Sequence, residues 1–326
     1  MRASVIATAL FAVGLTGAAQ AQQKPADFPQ RPLTVVVPYG AGGGSDQLAR
    51  AWVAAMEPIV GQPFQVVNKP GGGGLAAVPD FMTAPADGYT ILQSIDDAVT
   101  NFASGRLKSN PATDWEPICM TQITFSQIYV RGDDTRFPDW KAFLDYAQAN
   151  PGKASLANVG NLGSMERINM VQLEEELNFK SNQVAFDNPS ERYAALIGGQ
   201  VDAMFEQPGD VKAFLDAKQM RPILTFLTER PSAFGDVPTV REAGARFEPL
   251  LRFRGFWARP DAPADRRAYL EAACKQAFDS PEFQKFNEAN FMTLIDSYRD
   301  TLGSRQLIES SANTYVAIYR KLGLVK

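Results

Sequence analysis

The chain of 326 residues contains no histidine. That absence removes the Ser-His-Asp and Cys-His relays and, with them, zinc sites built on Cys and His. Only two cysteines occur, Cys119 and Cys274. They are too few to form a disulfide framework, and whether they pair in an oxidising compartment stays open at this level. Positive charge is also scarce. Lys and Arg number 32 against 36 Asp and Glu, a formal net charge of −4, so the basic footprint of a nucleic-acid binder is missing. No stretch is apolar over the length needed to span a bilayer. Carboxylate-only acid–base chemistry and Ser-Lys chemistry are the catalytic designs that remain.

What is present begins with an export signal. Arg2 supplies a positive start, Val5 to Leu15 an apolar core, and Ala19-Gln20-Ala21 a small-x-small cleavage site. Residues 1–21 are therefore expected to be a signal peptide cleaved near Ala21, and no cysteine follows to take a lipid anchor. A periplasmic location is expected. The roughly 300 residues that remain favour two lobes over one large core.

One stretch organises the rest. Leu33-Thr34-Val35-Val36-Val37 reads as a strand buried on both faces, as inside a parallel sheet. Pro38 to Gly44 follow, with four glycines that let the backbone take positive φ and approach a ligand. Ser45 and Asp46 suit a helix N-cap, and Leu48, Trp52, Met56 and Ile59 recur on one helical face. Strand, glycine loop and helix start together predict an anion cradle, because first-turn N–H groups lack intrahelical partners. It is not a dinucleotide fingerprint, since Ser45 stands at the sixth position, and not a Walker loop, since no lysine precedes Ser45. A tight turn without a ligand would use the same glycines.

Strand signals recur at Phe64–Val67 and Tyr89–Leu92, each followed by a polar or glycine-rich loop. The alternation of strands and helices predicts parallel sheets with helices on both faces. Ligands then sit beyond the carboxyl ends of the strands, so the loops at 39–46, 69–74 and 93–97 should share one rim. The opening pattern returns at Ala154–Ala157, with Asn158–Ser164 as a second cradle loop and Met165–Leu177 as its helix, capped by Ser164. Further on, Ser190 is read as the cap of a helix to Ile197. Val201–Phe205 is a strand that delivers Glu206 and Gln207 to the rim. Pro249–Trp257 is a return crossover with Arg252 and Arg254 on one side.

These residues carry a resemblance. Phe28-Pro29-x-Arg31-Pro32, Val37-Pro38-Tyr39-x-Ala41-Gly42-Gly43-Gly44-Ser45-Asp46, Asn68-Lys69-Pro70-Gly71-x-Gly73-Gly74, Ala86–Thr90, Gly198–Phe205, Asp236–Gly244 and Ser280-Pro281-Glu282 occur in order along the chain. The protein resembles the Bug/TctC family, the periplasmic substrate-binding receptors of tripartite tricarboxylate transporters. The resemblance implies an α/β type II periplasmic binding protein. Each of its two lobes would hold a mostly parallel sheet flanked by helices, and two crossover strands would join them. Lobe 1 would comprise 22–126 and 253–326, and lobe 2 127–252. It implies a small di-, tri- or aromatic carboxylate held between helix starts of the two lobes, delivered to membrane transporter subunits. No cofactor, metal or nucleic acid is expected, and a monomer is.

The candidate ligand contacts in the first lobe are Tyr39, Ala41, Gly42, Gly43, Gly44, Ser45, Asp46, Gly73, Ser94 and Asp96. In the second they are Asn161, Gly163, Ser164, Phe186, Asn188 and Glu206, and on the crossover Arg252 and Arg254. The chain departs from the family pattern at Ser94–Ala98, at Met165-Glu166, at Phe186–Asn188, and at Arg252 and Arg254, so the family's ligand does not carry over. Two rival readings remain: a sensor serving a signalling partner, and a periplasmic enzyme using Asp96, Asp97 and Glu206 as acid and base.

Overall fold

The computed structural model describes residues 24–159 and 163–325. The expected signal peptide and the candidate contact Asn161 lie outside the described residues. The first sheet is entered through β1 (Leu33–Val37), α1 (Gly44–Val60), β2 (Phe64–Asn68), α2 (Val78–Thr83), β3 (Thr90–Ile95), α3 (Asp96–Ala103) and β4 (Glu116–Thr124). The chain then crosses over through Phe125 and Ser126. The second sheet is built by β5 (Gln127–Arg131), α4 (Trp140–Ala149), β6 (Ser155–Val159), α5 (Met165–Leu177), β7 (Asn182–Phe186), α6 (Pro189–Ile197), β8 (Ala203–Glu206), α7 (Lys212–Asp216) and β9 (Met220–Thr225). It returns through β10 (Arg252–Ala258) and closes the first lobe with α8 (Ala264–Phe278), α9 (Pro281–Ala289) and α10 (Thr301–Lys321).

The strand orders are β2-β1-β3-β10-β4 and β7-β6-β8-β5-β9. In each sheet a single strand, β10 or β5, runs antiparallel to its two neighbours. The reason is connectivity: β5 and β10 are each the first strand after a crossover and enter their sheet from the opposite end. The two sheets are therefore mostly parallel, as the alternation of elements predicts.

β1 shows why an unbroken apolar run is required. Leu33, Val35 and Val37 pack with Trp52 and Phe256 on one face, while Val36 packs with Phe81 and Trp115 on the other. Gly61 ends α1 in the left-handed region at φ 74, where its N–H donates to the Glu57 carbonyl. Some caps differ from the sequence expectation. The N-cap of α1 is Gly43, and that of α6 is Asn188, whose side chain accepts from Ser190 N. Ser45 and Asp46 instead lie inside the first turn of α1, where the Asp46 carboxylate reaches back to Gly42 N at 3.0 Å. Ser164 does cap α5, its hydroxyl accepting from Arg167 N.

Cys119 on β4 and Cys274 on α8 form a disulfide that ties the first sheet to the helix covering it. Both are fully buried, and Trp52 Nε1 donates to Cys274 Sγ at 3.3 Å. The bridge closes a loop with a sequence separation of 155, so its removal should lower stability by about 2–5 kcal/mol, mainly by freeing the unfolded chain. Urea unfolding of the double variant Cys119→Ala/Cys274→Ala measures this, and a midpoint equal to the parent's would contradict it.

Candidate functional site

The carboxyl ends of β1 and β3 face those of β6 and β8 across a cleft, and a cavity of about 30 Å³ lies between them. The first lobe lines it with Tyr39, Gly43, Gly44, Ser45 and Ile95, and the second with Glu166, Phe186, Pro189, Arg192, Glu206 and Asp210. Arg252 and Arg254 enter from β10. The glycine loop is required for two separate reasons. Gly42 sits at φ 82, where a side chain is strained. Gly43 and Gly44 have no such φ but are met by the second lobe. A Cβ on Gly43 would lie 2.5 Å from Pro189 Cγ, and one on Gly44 would overlap the Asp210 carboxylate.

Three buried arginines organise the charge. Arg252 Nη1 donates to Asp96 Oδ1 at 2.8 Å and to Asp97 Oδ1 at 3.4 Å, both on α3. Its Nη2 donates to Glu166 Oε1 on α5 at 2.9 Å, so one guanidinium spans the two lobes. Arg254 Nη1 donates to Gln122 Oε1 at 3.0 Å and to Asp210 Oδ1 at 3.0 Å, and Nη2 to Gln207 Oε1 at 3.0 Å and to Asp210 Oδ2. Arg192, on α6, pairs with Glu206, which also accepts from Tyr193 Oη at 3.1 Å. Tyr39 Oη donates to Asp97 Oδ2 at 2.9 Å, and Glu166 Oε2 accepts from Val159 N at 2.6 Å. Arg252 and Arg254 reach the cleft together because alternate residues of a strand share a face.

Burial dominates the titration of these acids. It pushes Asp96 up to about 7, with Asp97 and Glu166 adding repulsion and Arg252 opposing. It pushes Glu166 up to about 6 against the pull of Arg192 and Arg252. Burial also raises Asp210 against Arg254, and burial together with Asp97 raises the Tyr39 phenol. A carboxyl whose pKa is higher folded than unfolded binds its proton more tightly in the native state. Its stabilising contribution is complete below the unfolded pKa and is lost as pH rises to the folded one. For Asp96 and Glu166 that window runs from about 4 to about 7. The thermal midpoint of ligand-free protein should therefore fall between pH 5 and pH 7.5. A profile that rises across this interval would contradict the burial of these carboxyls.

The residues expected at the site are brought together only in part. Tyr39, Gly43, Gly44, Ser45, Phe186, Glu206, Arg252 and Arg254 line the cavity, and Asp96 stands behind Arg252. Gly73 and Ser94 line a separate cavity of about 10 Å³ on the other side of Tyr39. Ala41 and Gly42 are exposed. Asp46 is held by Gly42 and Arg50. Asn188 and Ser164 spend their side chains on caps, and the Gly163 carbonyl accepts from Tyr319 Oη of α10. Phe125 is buried against Phe234, and Phe102 packs on the core. Sequence reading missed Arg192, Pro189 and Asp210. Arg192 and Pro189 sit in the first turn of α6, after a strand end already recognised, and that position was the available signal. Nothing local marks Asp210. Among the described residues no group of His, Cys, Asp and Glu is arranged to hold a metal, and no helix is long and apolar enough to cross a membrane.

Residues 48–324 match the family described as the tripartite tricarboxylate transporter family receptor. A relative from Cupriavidus necator, the UPF0065 protein in the gbd 5′ region, is 28% identical over 98% of this chain and 96% of its own. The periplasmic binding protein BugD superposes with a TM-score of 0.81 at 25% identity, over 92% of this chain and 100% of that one. MatC from Rhodopseudomonas palustris, with bound malate, gives 0.79 at 25% identity over 89% and 99%. Two five-stranded mixed sheets facing one another across a cleft are the periplasmic binding protein architecture of these structures. The chain belongs to the TctC family of tripartite tricarboxylate transporter receptors.

Proposed function

We propose that this protein is a periplasmic solute-binding protein that captures a small carboxylate between its lobes and delivers it to the membrane subunits of a tripartite tricarboxylate transporter. One observation carries the reading. Three buried guanidiniums and the start of α1 converge on one cavity shared by both lobes, and both are features that favour an acceptor group on the ligand. MatC, a structural relative, binds malate, which supports the carboxylate class. In this reading residues 22–126 with 253–326 and residues 127–252 move as two bodies about the crossovers. Gly43, Gly44, Ser45, Tyr39, Arg192 and Arg254 are the contacts a ligand would meet. Asn161 and Gly163 would complete the second cradle.

Cleft closure supplies the mechanism. Arg252 bridges α3 and α5, and Arg254 holds Asp210 of the second lobe, so the ion pairs that join the lobes lie in the ligand's path. A ligand that satisfies these groups in the closed state shifts the population toward it. No covalent step is required. Asp96, Asp97 and Glu206 are each engaged by an arginine or a tyrosine, an arrangement for holding charge.

Native mass spectrometry of protein purified from the periplasm without denaturation tests the reading. A retained small organic acid, released unchanged after prolonged incubation, is the expected result. A chemically altered ligand would favour the enzyme. Failure to retain or bind any small molecule would remove the receptor assignment.

A further inference from the structure

Arg254 is saturated at both terminal nitrogens. Nη1 donates to Gln122 Oε1 and to Asp210 Oδ1, and Nη2 to Gln207 Oε1 and to Asp210 Oδ2. The Asp210 carboxylate is thus held by two parallel bonds, the geometry in which a guanidinium recognises a free carboxylate. It also rests on the start of α1, where a Cβ on Gly44 would overlap both of its oxygens. Its backbone is fixed there as well. Asp210 N donates to the Gln207 carbonyl at 3.1 Å, and Gln47 Nε2 of α1 donates to the Asp210 carbonyl at 3.3 Å. A carboxylate of the second lobe therefore fills the anion seat that the first lobe offers.

The other two arginines are unequal. Arg252 gives its terminal nitrogens to Asp96, Asp97 and Glu166. Arg192, 4% exposed and on the cavity wall, gives Nη2 to Glu206, but its Nε and Nη1 have no hydrogen-bond partner. Nη1 lies 3.5 Å from Glu166 Oε2, at ion-pair distance only. Elsewhere the wall is apolar at Ile95, Phe186 and Pro189, and Asp187 adds a negative charge. No guanidinium is left without a counter-charge, so every charge a ligand brings into this buried space is costly. One has an outlet. Burial raises the Glu166 carboxyl to about 6, so this neighbour of Arg192 takes up a proton at small cost when a ligand carboxylate arrives. A second ligand carboxylate would meet neither an open guanidinium nor an open helix start.

Accepting the cleft as the ligand site, we infer that Asp210 determines its specificity: Asp210 takes the seat of one ligand carboxylate, so the ligand is a small monocarboxylate received by Arg192, and not a di- or tricarboxylate. The cavity between them, about 30 Å³, suits a short chain with an uncharged remainder.

Isothermal titration calorimetry on the full mature chain, with acids matched in length, isolates the second carboxylate. The pairs are butyrate and succinate, valerate and glutarate, hexanoate and adipate, and benzoate and terephthalate. In the tightest-binding pair the monocarboxylate should bind at least tenfold more tightly than its partner. A smaller gap or a reversed order overturns the inference while leaving the receptor reading intact. Binding by no member of the panel overturns the inference, and an empty protein in native mass spectrometry then removes the receptor reading as well. Asp210→Ala empties the seat on Arg254 and should reverse the preference within that pair. Equal weakening of both members would make Asp210 a contact for closure only and overturn the inference. Arg192→Lys keeps a cation beside Glu206 but removes the free Nε and Nη1, and should weaken the best monocarboxylate at least tenfold with the circular dichroism spectrum unchanged. Parental affinity in that variant would take the ligand off Arg192 and overturn the inference independently of Asp210.

Discussion

Arg252→Met is expected to cost the folded protein about 3–5 kcal/mol at pH 8, the loss typical of removing one partner from a buried ion pair. The reason is the number of groups left behind. Asp96, Asp97 and Glu166 are all fully buried and all lean on this one guanidinium. Methionine replaces most of the aliphatic stem, so packing is largely kept and the change isolates the charge. The loss should shrink at pH 5, because Asp96 and Glu166, whose carboxyls are raised to about 7 and about 6, can then take protons and shed their need for a cation. Urea unfolding followed by tryptophan fluorescence at both pH values measures this. A loss under about 1 kcal/mol at pH 8 would mean that water or rearrangement satisfies the carboxylates. An equal loss at the two pH values would place the damage in packing instead.

Gly44→Val should abolish ligand binding by at least two orders of magnitude while leaving the thermal midpoint nearly unchanged. Gly44 opens α1 at the lip of the first lobe, and any Cβ there would overlap the Asp210 carboxylate that Arg254 holds. The obstruction exists only when the lobes approach. With the cleft open the side chain would meet solvent, and the backbone at the start of a helix tolerates valine. The variant should therefore behave as a folded protein fixed in an open form. Small-angle scattering would show the parent becoming more compact on adding ligand and the variant unchanged, and calorimetry would show little heat. If the variant binds and compacts like the parent, the contact between α1 and Asp210 has no part in closure. Gly43→Val, which would press on Pro189, is expected to act the same way but less severely, since a proline ring on a helix start can shift more easily than a carboxylate held by two bonds.

Much of this architecture is legible along the chain. The apolar run at β1 demands burial on both faces, and the structure buries it between two clusters. Ser164 caps α5 as its position suggests. Both glycine loops follow strands because a parallel sheet flanked by helices must turn there. Errors of one or two residues cluster at helix starts. Ser45 and Asp46 read as caps, yet Gly43 takes that place, because the close approach of Pro189 and Asp210 excludes a side chain at Gly43 and Gly44. Ser190 reads as a cap, yet Asn188 performs the role, since Pro189 already has the φ of a first helical residue.

The limit falls where partners are distant in sequence. Period and turn chemistry are local, decided by residues a few positions apart, so the strands and helices are written in the sequence. The pairing of Cys119 with Cys274 spans 155 positions, that of Arg252 with Asp96 spans 156 and that with Glu166 spans 86. No spacing rule connects such residues. The sequence by itself determined that three arginines and five acids would exist, and that Arg252 and Arg254 would share one face of a strand. Which acids they hold was decided by the two crossovers, which carry β10 into the first sheet beside β3 and set the start of α5 across the cleft from α3. Buried charges then had to find counter-charges within hydrogen-bonding distance, and only the folded backbone specifies which ones those are.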